Sequence, residues 1–117
     1  MWFVKFNLSY MFIIRNNLFP LKGYTAMAVW PFVFVRRDVV LTDVVTNHER
    51  IHGRQQVECL WIPFFFIYGV CYVILLFVYW NHGEAYRHVP FEREAYGHQH
   101  EMGYLSRRKW WGWVSYL

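Results

Sequence analysis

Charge is scarce in this chain. Only 17% of its 117 residues are Asp, Glu, Lys or Arg, against 56% hydrophobic residues. That balance excludes an intrinsically disordered segment, which is rich in charge and poor in anything to bury. Two cysteines and seven glycines exclude a disulfide scaffold and a collagen-like chain. Cys59 and Cys71 form no CxxC pair. On one continuous helix they would stand about 18 Å apart, beyond the reach of about 7 Å that a disulfide allows. They read as two buried thiols. Internal repeats and linker-like tracts are lacking as well. The early apolar run is interrupted by Arg15, Asn16, Asn17 and Lys22 before the small residues Ala26 and Ala28, a pattern unlike a signal peptide.

Aromatic rings are abundant, at 23% of the chain, with 7 Trp, 9 Tyr and 11 Phe. Tyr and Trp gather where one end of the side chain is dry and the other wet, so a membrane interface or a large buried contact is expected. A net charge of +4 brings both anionic lipid and nucleic acid into consideration. The densest basic group, Arg107, Arg108 and Lys109, directly precedes Trp110, Trp111 and Trp113. Basic residues beside interfacial rings suit an anionic membrane surface. They would also suit single-stranded nucleic acid, but the chain is far more apolar than nucleic-acid modules usually are. Membrane lipid is therefore the expected partner, and nucleic acid is not. The length allows one domain, spanning 1–117.

Four stretches follow one another. Residues 1–19 are apolar and aromatic in parts, and fit a short helix or an edge strand equally well. Residues 24–36 are rich in strand formers, with Pro31 favouring an edge or irregular strand and a turn expected at Arg37 and Asp38. From about Leu41 the pattern turns helical, with Thr42 or Asp43 as the cap. Cys59 to Trp80 then runs for 22 residues without a charge, long enough to cross a bilayer core of about 30 Å as a helix. Beyond a polar connection, Pro90 marks a helix start, and a helix is expected from Glu92 to about Lys109.

The chemistry centres on His48-Glu49-Arg50-Ile51-His52, an HExxH pattern. Residues four apart share one helix face, so His48 and His52 can direct their imidazoles at one metal ion with Glu49 beside them. Zinc accepts neutral imidazole nitrogen, and a catalytic zinc site leaves a position for water. Glu49 is placed to take a proton from that water as it attacks a carbonyl. Third-ligand candidates are plentiful downstream: His82, Glu84, His88, Glu92, Glu94, His98, His100 and Glu101.

HExxH followed by Gln55-Gln56, an apolar interval and Pro90-Phe91-Glu92-Arg93-Glu94-Ala95 resembles a compact gluzincin metallopeptidase. The resemblance covers residues 47 to about 101. In gluzincins, including the membrane-embedded prenyl-protein and heat-shock protease group, a second helix supplies glutamate as the first residue of an ExxAD or ExxSD pattern. On this sequence that glutamate matches Glu92 and the alanine matches Ala95, which implies His48, His52 and Glu92 as zinc ligands and Glu49 as the catalytic base. The aspartate position is Tyr96, a departure that removes the usual support of a ligand histidine. Glu94 remains an alternative ligand or an orienting group. The layout is also similar to that of small bacterial membrane-associated zincin-like proteins, which implies a place at the bacterial inner membrane, monotopic or integral. The fold expected is α+β, mainly helical: a short N-terminal strand element, the HExxH helix, a bent apolar helical segment and a C-terminal glutamate-bearing helix, a minimal zincin-like domain.

A peptide or protein substrate would pair with the strand around Ala26 to Phe34 by strand addition, and Tyr86 or Tyr96 would donate to an oxyanion. A different class of function is a non-enzymatic small membrane protein with a structural or vestigial metal site. Glu92 and Glu94 would suit a helix N-terminus through its dipole. His98 and His100, two apart, read as surface residues. Arg50, Arg54, Arg87 and Arg93 read as solvent or headgroup contacts, and Gln55 and Gln56 as cover for a helix surface.

One geometric condition binds these expectations together. If residues 52–80 formed one straight helix, it would run about 42 Å, and the eleven residues Asn81 to Phe91, extended over at most about 36 to 40 Å, could not return through lipid with unpaired backbone. A metal site that includes Glu92 requires the chain to reverse. Pro63 is the expected place, with Gly69 a second, giving a helix that ends near Trp61 and another from Phe64 to Trp80. The monotopic arrangement is then favoured over a full span.

Overall fold

The computed structural model describes residues 11–20 and 23–117, which form an α+β structure that is mainly helical. Among the described residues three short strands precede the helices: β1 (Phe12–Asn16), β2 (Ala26–Val29) and β3 (Phe32–Arg36). β3 lies in the middle, parallel to β1 and antiparallel to β2. Of the undecided 1–19 stretch, the described part resolves as an edge strand, and residues 1–10 lie outside the described residues. The expected single strand over 24–36 is instead a hairpin. Pro31, which has no N–H for a ladder, sits in the turn between β2 and β3 behind a cis Trp30–Pro31 peptide.

Alternation along β3 buries Val33 and Val35 on one face. With Met11 and Ala28 these valines form a small core, flanked by Trp30, Val39 and Leu41. The sheet approaches the next element closely. A Cβ on Gly53 would lie 2.5 Å from Met11 Sδ and 3.3 Å from Trp30 Cδ1, so the missing side chain is what lets sheet and helix meet.

That helix is α1 (Asp43–Glu58), capped by the Thr42 hydroxyl, which accepts from the Val45 N–H at 3.2 Å. It ends in a tight reversal. Leu60 adopts left-handed backbone, with its N–H donating to Val57 O at 3.2 Å and the Trp61 N–H donating to Gln56 O at 2.6 Å. This is a Schellman ending built on leucine in place of glycine. Trp61, at φ 69 and ψ −74, then forms a γ-turn closed by the Ile62 N–H on Leu60 O at 2.9 Å.

The long apolar helix α2 (Ile62–Tyr79) starts there, with Pro63 in its first turn, and passes Gly69 without a break. Its inward stripe, Phe64, Ile67, Tyr68, Cys71, Tyr72 and Leu75, packs around Phe91, Val89, Cys59 and Trp113. The opposite stripe is open: Phe66, Val70, Val73, Ile74, Phe77 and Val78 are all exposed. α2 is the one helix among the described residues long and apolar enough to cross a membrane, and only Phe64 of its 18 residues is buried.

Trp80 closes α2 in left-handed backbone, and α3 (His82–His88), capped by Asn81, folds back against it. Val89 then leads into α4 (Pro90–His98). The expected helix to Lys109 stops at His98, for an identifiable reason. The Asn47 side-chain amide from α1 donates to the carbonyls of His98, Gln99 and Glu101 at 3.3, 2.9 and 3.0 Å, satisfying backbone acceptors that a longer helix would have bonded internally. A single turn, α5 (Tyr104–Arg107), and a 3-10 segment, Gly112–Tyr116, complete the chain.

The basic-aromatic cluster is split by this ending. Trp110 and Trp111 are exposed, but Trp113 packs on Phe91 at 4.5 Å between ring centroids. Arg108 turns inward. It donates to Glu58 at 2.6 and 3.0 Å and to both oxygens of Glu94, all with fully buried side chains. The reading of Arg108 as part of a basic group facing an anionic surface is therefore corrected. Arg54, also read as a solvent or headgroup contact, is buried at 3% exposure.

Candidate metal centre

α1 is unusual in burying polar side chains: Asn47, His48, Glu49, His52, Arg54, Gln55, Gln56 and Glu58 all face inward. Burial of so many polar groups is costly unless each is bonded, so their partners define what the helix does. His48 and His52, one turn apart, present Nε2 atoms 3.1 Å from each other. The reversal at Leu60 and Trp61 and the return of α4 bring Glu92 to the same point. Its Oε1 lies 3.2 Å from His48 Nε2 and 3.1 Å from His52 Nε2. These three residues are the described group of His, Cys, Asp and Glu side chains that could hold a metal, with ligand atoms within 4.8 Å of one another and all three residues buried.

None of the other seven third-ligand candidates is brought to this group. His82 bridges the Tyr24 and Tyr72 hydroxyls at 3.0 and 2.8 Å. His98 pairs with Glu101 at 2.6 Å. Glu94 is buried but belongs to a different set of contacts. It accepts from Arg108, from Tyr104 at 2.6 Å and from Gln55 Nε2 at 2.9 Å. Burial works to raise its pKa, but the hydrogen bonds from Arg108, Tyr104 and Gln55 and the charge of Arg108 outweigh that, and its carboxyl stays below the usual range.

Gln55 and Gln56 do not cover a helix surface, and that expectation is corrected. Gln55 is fully buried and Gln56 nearly so. The Gln56 amide donates to Ala28 O at 2.8 Å and accepts from the Trp30 N–H at 2.5 Å, which ties the outer edge of β2 to α1. Gln55 Oε1 lies 2.8 Å from His52 Nδ1, and Gln99 Oε1 lies 2.9 Å from His48 Nδ1. The spacing held a signal for Gln55: residues 48, 52 and 55 follow the i, i+4, i+7 stripe of one helix face. Tyr96 makes no such bond and sets its ring edge against His48 at 4.6 Å.

Glu49 lies beside the group, accepting a hydrogen bond from the Ala28 backbone, and its pKa is raised by burial against the opposing pull of His52 and His48. Glu92 is affected oppositely. Burial works to raise its pKa, but His52 and His48 hold it well below the carboxylate range. Its second oxygen accepts from the Tyr68 hydroxyl at 2.7 Å. A cavity of about 490 Å³ opens over His52, Glu49 and Glu92, walled by β2 on one side and by Phe64, Phe65, Tyr68 and Tyr72 on the other, with Tyr86 in its lining. Tyr96 is not in that lining. No protein-family model matches the chain, and neither a curated protein nor a solved structure matches it.

Proposed function

We propose that this chain is a membrane-associated, zinc-dependent peptidase with His48, His52 and Glu92 as metal ligands and Glu49 as general base. The observation that carries the reading is the near-equilateral triangle of two imidazole nitrogens and one carboxylate oxygen, with sides of 3.1, 3.1 and 3.2 Å. Donors at about 2.0 to 2.1 Å around a tetrahedral ion lie about 3.3 Å apart, so the triangle is close to one face of a zinc tetrahedron. The donor set, two nitrogens and one oxygen without thiolate, suits zinc and leaves a fourth position free. A zinc ion bound there supplies a Lewis acid for a substrate carbonyl and makes water nucleophilic near neutral pH.

The residues of the chain do the rest. Glu49, held by Ala28 and lifted in pKa by burial, takes the proton of the attacking water and can return it to the leaving amine. Tyr86, whose hydroxyl is kept protonated by burial and by the nearby Glu92, lines the cavity and, by turning its hydroxyl from Tyr96, would donate to an oxyanion. An extended substrate has a limited edge to pair with. Both backbone groups of Ala28 are already engaged by Glu49 and Gln56. Ala26, two residues along, is the next position of β2 whose N–H and C=O face away from β3. The cavity wall is mostly aromatic and aliphatic, which favours apolar side chains beside the scissile bond.

The membrane arrangement that fits is one-sided. α3 packs along α2 with Glu84 and Arg87 exposed, charges that a spanning α2 would carry into hydrocarbon. With α2 in the interfacial plane, its open stripe meets lipid while α3 stays wet.

Metal analysis of the purified chain tests the reading. One zinc per chain is expected, lost in His48→Ala, His52→Ala and Glu92→Ala. Glu49→Gln should keep the zinc and abolish hydrolysis of an apolar peptide. Absence of metal from the wild type would overturn the reading, and zinc without any effect of Glu49→Gln would make the site structural.

A further inference from the structure

The way the two histidines are supported carries an inference of its own, which rests on the proposed metal site. The Gln55 side-chain amide is fixed in orientation by what surrounds it. Its Nε2 faces Phe91 O at 3.1 Å and Glu94 Oε1 at 2.9 Å, and both are acceptors. The amide nitrogen must therefore point that way, which leaves Oε1 for His52 Nδ1 at 2.8 Å. An amide oxygen only accepts, so His52 Nδ1 has to carry a hydrogen. Glu94 is itself anchored by Arg108, which also binds Glu58, so the constraint on His52 begins in a buried ion network at the C-terminal end of α1.

His48 meets an amide oxygen from a different element. Its Nδ1 meets Gln99 Oε1 at 2.9 Å, and Gln99 sits just past the end of α4, where Asn47, the residue before His48, binds the Gln99 carbonyl at 2.9 Å. The backbone of Gln99 is thereby tied to the helix whose histidine its side chain touches.

We infer that Gln55 and Gln99 are positioning residues, each presenting an amide oxygen to a histidine Nδ1–H so that both rings turn Nε2 toward the metal position. They take over the task that the missing aspartate at Tyr96 leaves open, and they do so without adding charge. The group around a divalent ion then contains one carboxylate, Glu92, and two neutral rings backed by neutral amides. A metal held this way keeps more of its own positive charge than one backed by a further carboxylate.

Gln99 is half-buried and offers the cleaner test, because its truncation leaves the core intact. Gln99→Ala is expected to weaken cobalt or zinc binding by about 10- to 100-fold in competition with a chelator, with an unchanged circular dichroism spectrum. Gln99→Glu, which keeps an acceptor oxygen, is expected to restore affinity. A second readout needs no metal. In metal-free protein above pH 9, imidazole ¹⁵N shifts should show His48 as the Nδ1–H form in wild type and as a mixture of tautomers in Gln99→Ala. Equal metal affinity in wild type and Gln99→Ala, or an unchanged tautomer, would overturn the inference. A wild type that binds no metal but shows the tautomer shift would remove the peptidase reading and leave the positioning role standing.

Discussion

His52 carries a proton where the metal would sit. Burial alone would lower its pKa, but Glu92 and Glu49 beside it outweigh that and hold it at about 9, above the ordinary 6.5. The sign of the consequence follows. A folded-state pKa above the unfolded one stabilises the metal-free protein below about pH 6.5, and that stabilisation is lost as pH rises through about 9. The melting temperature measured in chelator should therefore fall over this window. Metal affinity should move the other way, rising about tenfold per pH unit up to about pH 9 as the competing proton leaves. Titration calorimetry in buffers of different ionisation enthalpy should show one proton released per metal at pH 7.5. At this scale the sequence singled out candidate ligands and said less about their supports. HExxH brings His48 and His52 together because a helix fixes their spacing. The 48, 52, 55 stripe places Gln55 on the histidine face, but nothing local tells what its amide binds, since Phe91 and Glu94 arrive from 36 and 39 residues away.

Between residue and molecule, the reversal from α1 to α2 decides whether a site exists at all. Leu60 and Trp61 both hold positive φ without being glycine. Left-handed backbone costs a β-carbon-bearing residue about 1 to 2 kcal/mol. Leu60 is 81% exposed, so its side chain returns little of this through packing. Leu60→Gly is expected to raise thermal stability by about 1 kcal/mol without changing metal content, checked by paired melting curves. The need for a reversal was legible in the sequence, because a straight helix could not return Glu92 to His52. Its position was legible only to within a few residues. Pro63 drew attention as a helix breaker, yet it starts α2, a place where a missing N–H costs nothing. The hairpin at Trp30 and Pro31 follows the same logic, proline marking a boundary inside what read as one strand. The C-terminal helix was overextended because its stop signal, Asn47, lies in another helix.

For the molecule as a whole, the open stripe of α2 sets where the protein can reside. Flotation with vesicles of equal parts phosphatidylcholine and phosphatidylglycerol should carry the wild type upward. Phe66→Gln and Phe77→Gln, at 73% and 65% exposure, should each weaken that binding by about tenfold while leaving zinc content unchanged. Failure of the wild type to float would overturn the membrane placement. The inward face of the same helix carries Tyr68, which holds the second oxygen of Glu92. Under the proposed reading α2 would be loaded from both sides, by lipid on one stripe and by the metal group on the other. Two ligands that favour the same placement of one element are thermodynamically linked, and linkage is reciprocal. By whatever factor a lipid surface tightens the hold on metal, bound metal must tighten the hold on that surface.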